Sequence, residues 1–88
     1  MPTQNWVVDS TTYTSKASGA KKFNVQNVQS QAVEYVVAAS LPSASTVGIK
    51  LGQGQTHPID VASGENVYVR IAQSGALTSI TLAALEVP

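Results

Sequence analysis

His57 is the only histidine of the 88-residue chain and stands three residues before Asp60. With ten serines available, the residue types of a nucleophilic triad are all present. A triad also needs a serine held against the imidazole, and no Gly-x-Ser-x-Gly elbow occurs to hold one. His57 precedes Pro58 at what reads as the start of a strand, so it is expected as a surface or edge histidine. No catalytic residue is assigned, and the chain is expected not to be an enzyme. A metal site would need partners at characteristic spacing, which one histidine, five scattered carboxylates and no cysteine do not provide. Asp60 and Glu65 lack the dense Asp and Asn pattern of a calcium loop. Gly52-Gln53-Gly54 could open a dinucleotide fingerprint, but the third glycine is missing and Pro58 follows, so a glycine turn or bulge is expected and no cofactor.

Binding residues are equally sparse. Lys21-Lys22-Phe23 sets a basic pair beside a ring, which falls short of a stacking platform for nucleic acid. The balance of five Lys and Arg against five Asp and Glu gives no net charge to attract phosphate. No run reaches the roughly 18 apolar residues of a membrane span, so neither nucleic acid nor membrane is an expected partner. Trp6 and Tyr13 lie in a polar stretch and could stack on a sugar. Trp6 reads better as an anchor that plugs its segment into the domain or into a neighbouring subunit.

These residues must be positioned by strands. Phe23, Val25 and Asn27 alternate with Lys22, Asn24 and Gln26, the period of a half-buried strand. Ala32 to Ala39, Val47 to Leu51, His57 to Val61, Val67 to Ala72 and Leu77 to Val87 read as further strands, rich in β-branched residues. The Leu41 to Ser45 loop and the turns at Gly52 to Gln55, Ser63 to Asn66 and Gln73 to Gly75 separate them. Turns recurring about every 8 to 12 residues are the mark of an all-β domain. The expected fold is therefore a small antiparallel β-sandwich or jelly-roll-like barrel of about seven or eight short strands over residues 21–88. Residues 1–20, rich in Thr and Ser around Trp6-Val7-Val8, are expected to form an extended N-terminal arm with one short strand.

Two strands, Tyr35 to Ala39 and Ile80 to Leu85, become apolar on both faces, and a small sandwich has only one inner face to fill. Ala38, Leu82 and Leu85 are accordingly the expected contacts of a homo-oligomer, and Trp6, Val7 and Val8 those that dock a partner. A domain of this size without disulfides or metals has reason to associate.

The order of phrases from Phe23 to Ala72 resembles small structural proteins of tailed bacteriophages. The resemblance is carried by Val25-Gln26-Asn27-Val28, Val33-Glu34-Tyr35-Val36-Val37, Gly48-Ile49-Lys50-Leu51-Gly52-Gln53-Gly54 and Asn66-Val67-Tyr68-Val69-Arg70-Ile71-Ala72. It implies a virion structural protein, decorating or cementing a capsid or serving in a head or tail, often as a trimer and with a major capsid or other virion protein as partner. The first 15 residues contain neither a basic stretch nor the apolar run of a signal peptide, so synthesis in the host cytoplasm is expected. The alternative is a β-sandwich recognition module for glycans or a receptor, placed on a phage tail or fibre.

Overall fold

The computed structural model describes residues 3–29, 31–72 and 79–87, and among them the chain forms eight strands. They are β1 (Thr3–Val8), β2 (Thr14–Ser18), β3 (Lys21–Asn27), β4 (Val33–Ala38), β5 (Ile49–Leu51), β6 (Thr56–Val61), β7 (Asn66–Ile71) and β8 (Ile80–Val87). Sheet A has the order β1-β8-β3-β6 and sheet B the order β2-β7-β4-β5, with every neighbouring pair antiparallel. The Cα atoms span 35 × 28 × 16 Å. Two sheets stacked about 10 Å apart account for the thin dimension.

The period of two decides what is buried. In β3, Phe23, Val25 and Asn27 point inward and Lys22, Asn24 and Gln26 outward, as their alternation predicts. In β8, Ile80, Leu82 and Ala84 point inward, while Thr81, Ala83 and Leu85 face out. With Trp6, Val8, Ile59 and Val61 they meet Val33, Tyr35, Leu51, Val67, Val69 and Ile71 of sheet B in one core. Trp6 packs edge-on against Phe23, with ring centroids 5.1 Å apart and planes at 68°. Such aromatic pairs add about 1 kcal/mol beyond the burial of their area.

The stretch read as an arm is part of both sheets. Residues 3–8 pair along their length with β8, from Thr3↔Leu85 to Val8↔Ile80. Residues 14–18 pair with β7, with a register shift between Ser15 and Ala17. The second strand was illegible because Thr-Ser-Lys-Ala-Ser has no apolar alternation. Its place is fixed by the backbone of β7 and by the Thr14 hydroxyl, which donates to the Val69 carbonyl at 3.3 Å. The expected turn at Gln73 to Gly75 and the start of the last run at Leu77 lie outside the described residues.

Asn27 joins the loops at one end of the sandwich. It is fully buried, yet its Nδ2 donates to the carbonyls of Gln31 (3.0 Å) and Leu51 (2.9 Å), and its Oδ1 accepts from the Gln29 amide (2.9 Å). Each of these bonds answers the cost of burying a carboxamide. Gly54, at φ +77°, completes the β5–β6 turn and donates its amide to the Asn27 carbonyl. This is the glycine turn expected for Gly52 to Gln55, in a conformation that a side chain would strain.

Candidate functional site

His57 and Asp60 sit three positions apart on β6, and an odd spacing on a strand puts side chains on opposite faces. His57 turns toward the space between the sheets and Asp60 is exposed on the outside, so the triad conceivable on paper has no common site. The partner of His57 is Tyr35 of the opposite sheet: Tyr35 Oη lies 3.0 Å from His57 Nδ1, with the rings edge to face at 5.8 Å. Burial pushes the Tyr35 phenol above its ordinary pKa. The hydroxyl can donate or accept, so either tautomer of the ring is accommodated. The pair links β4 to β6 across the core.

The most connected polar cluster is one that sequence reasoning missed. Glu34 and Arg70 are register partners on the outer face of sheet B. Arg70 Nε donates to Glu34 Oε1 at 3.1 Å, and the Gly48 amide donates to Glu34 Oε2 at 3.1 Å. The other two guanidinium nitrogens donate to the carbonyls of Ala44 (2.7 Å) and Thr46 (3.0 Å). Tyr13 completes the cluster, its hydroxyl donating to the Thr46 carbonyl at 2.9 Å and its ring lying 4.2 Å from Arg70 Cζ. Desolvation raises the Tyr13 phenol, against the opposing effect of the guanidinium. The result is a clasp that holds the 44–48 segment of the β4–β5 connection down on sheet B. The signals in the sequence were Glu34 interrupting an apolar run and Arg70 interrupting another.

The docking and oligomer candidates divide by face. Trp6 and Val8 are core residues, at 3% and 0% exposure, so they cannot dock a partner while the domain is folded; of the three only Val7, 45% exposed, faces out. Leu82, at 1%, is likewise core, opposite Trp6 on one side and Asn27 on the other, so it is not available as an oligomer contact in the folded domain. Leu85 is half-buried on the outer face of sheet A, next to Asn24. Ala38 is half-buried at the end of β4, opposite Asn66.

The outer faces of the two sheets therefore differ. Sheet B carries the clasp. Sheet A presents Asn5, Val7, Asn24, Gln26, Thr81, Ala83 and Leu85, small or uncharged side chains, with Lys22 and Asp60 at one margin. At that margin Lys21, Lys22, Asp60 and Glu65 line an open groove of about 380 Å³ floored by Val61, Ala62 and Val87. Asp60 and Glu65 are thus brought together, but beside two ammonium groups that oppose a divalent cation. Among the described residues, no three His, Asp or Glu side chains are placed to share a metal ion. A second groove, of about 360 Å³, lies between β4 and β5, where Val47 and Ile49 are 84% and 58% exposed.

No family model, no curated protein and no solved structure matches this chain.

Proposed function

We propose that this chain is a non-enzymatic structural protein of a virion, which self-associates and attaches through the outer face of sheet A to a capsid or other virion lattice, in a decoration or cement role. The observation that carries the reading is the asymmetry of the two outer faces. One is closed by the Glu34–Arg70 clasp; the other is open and nearly free of charge. A face of that kind, with Leu85 and Val7 among carboxamides and hydroxyls, suits contact with a protein surface, and such contact is little affected by salt.

The strand orders β1-β8-β3-β6 and β2-β7-β4-β5 support the same reading, because they are those of a jelly roll wound across two sheets. That architecture recurs in viral capsid domains and in lectins. Against a sugar-binding module stand the aromatic residues: Trp6, Tyr13, Phe23, Tyr35 and Tyr68 are all buried, which leaves no ring on which a pyranose could stack. The test is to follow the chain with an antibody through density-gradient purification of virus particles from the cells that make it. It should band with the particles, and Leu85→Asp should remain folded and be lost from them. A chain that stays at the top of the gradient, free of particles, contradicts the proposal.

A further inference from the structure

The four edge strands are not equally guarded. An edge strand offers unpaired backbone groups, and proteins discourage pairing there with charge, proline, bulges or brevity. β6 carries Pro58, which has no amide proton to donate, and the outward-facing Asp60. β2 contains the register shift between Ser15 and Ala17, and Lys16 lies at it. β5 is three residues long and includes Lys50. β1 has none of these devices: its six residues, Thr-Gln-Asn-Trp-Val-Val, hold no charge and no proline and pair with β8 without a shift. Among the described residues, no strand pairs with the other side of β1.

We infer that the β1 edge is the self-association site, and that it pairs antiparallel with β1 of a second copy about a two-fold axis at Asn5. The occupant follows from the strand itself. An uncharged edge has nothing to repel its own copy, and an antiparallel pair of identical strands is self-complementary. Residues directly opposite in a sheet project to the same face. Trp6 and Val8 must stay on the core side and Asn5 and Val7 on the outside, so opposed residues must share the parity of their numbers. An axis at Asn5 meets this condition. It sets two exposed carboxamides against each other, each able to donate and to accept. An axis at Trp6 would instead oppose two indoles already held by Phe23 and by the Gln4 carboxamide, whose Oε1 accepts from Trp6 Nε1 at 3.1 Å.

This inference rests on the self-association proposed above and names its edge. The paired copies would form one eight-stranded sheet, doubling the open outer face that meets the lattice. The symmetry is that of a dimer, in place of the trimer implied by the resemblance.

The chain has no cysteine, which makes cross-linking a clean test. Asn5→Cys should give a disulfide-linked dimer under mild oxidation at micromolar concentration, whereas Thr56→Cys, exposed on the β6 edge, should not. Light scattering of the unmodified chain should give twice its 9.1 kDa mass, and Asn5→Lys should return a folded monomer with an unchanged circular dichroism spectrum. A trimer, equal cross-linking of the two cysteine variants, or an oligomer that survives Asn5→Lys overturns the edge assignment while leaving self-association standing. A monomer at every concentration overturns both.

Discussion

Glu34 and Arg70 face each other across β4 and β7, and their ion pair sits on the outside of a sheet yet is largely shielded, with 7% and 14% of the two side chains exposed. The shield is the very segment that Arg70 holds, through the carbonyls of Ala44 and Thr46. Ion pair and loop are therefore one cooperative unit.

Breaking that unit from either side should have the same signature. Glu34→Ala strands a shielded guanidinium and is expected to cost about 3 kcal/mol, far more than an exposed ion pair would. Gly48→Ala attacks the loop instead, since a Cβ there would stand 2.8 Å from both Tyr13 Oη and the Tyr35 carbonyl oxygen. Overpacking of this kind costs about 1 to 3 kcal/mol. Both variants should show lowered urea midpoints and early proteolytic cleavage within 40–48. Cleavage at the unmodified rate would mean that the loop is held by something other than the clasp.

The buried phenols of Tyr13 and Tyr35 make stability fall in alkali. Both are raised above the usual 10, chiefly by desolvation. Below pH 10 each is protonated in the folded and in the unfolded chain and contributes no slope. As pH rises past 10 the unfolded chain loses these protons before the folded one does, so stability declines toward the raised folded values. Urea midpoints measured from pH 8 to 11 should be flat and then descend, and Tyr35→Phe should make the descent shallower. A profile with no downward slope above pH 10 would count against the burial of these rings.

Opposite faces of β1 and β8 should respond oppositely to substitution. Trp6→Ala empties the core beside Phe23 and should cost roughly 3 to 5 kcal/mol. Leu82→Asp places a carboxylate in the same core and should abolish cooperative folding. Leu85→Asp, on the outer face, should shift the thermal midpoint by only a few degrees, equivalent to about 1 kcal/mol or less. Collapse of the Leu85 variant would show that the outer face of sheet A is structural.

What could be read in the sequence was whatever the period of two writes directly. Phe23, Val25 and Asn27, set against Lys22, Asn24 and Gln26, declare one inner face by alternation alone, whereas Ile80 to Leu85 is apolar on both faces and leaves its inner one open. The all-β class followed from turns recurring about every 8 to 12 residues, and the seven strands other than β2 from alternating or β-branched runs and the apolar Trp6-Val7-Val8. β2 did not, because an edge strand of Thr, Ser, Lys and Ala is specified by the backbone it pairs with and not by its own pattern. Nor could the clasp be foreseen, because Glu34 and Arg70 are 36 residues apart and meet only through the β4–β7 register. Trp6 and Leu82 were misassigned for a related reason. Being apolar told that each would be covered, but whether by this chain or by another depended on which face met the second sheet.

Only one of the six sheet pairings, β4 with β5, joins strands that are consecutive along the chain. Sheet A has β8 in an interior position, between β1 and β3. During synthesis β1 and β3 therefore emerge with no partner between them, and sheet A cannot close until β8 has left the ribosome. Such non-local order belongs to domains that fold in milliseconds to seconds, not microseconds. For all of that interval the uncharged β1 segment is exposed along both of its edges, so the crowding of nascent chains on one message is a greater hazard than the finished domain faces, where β8 covers one of the two.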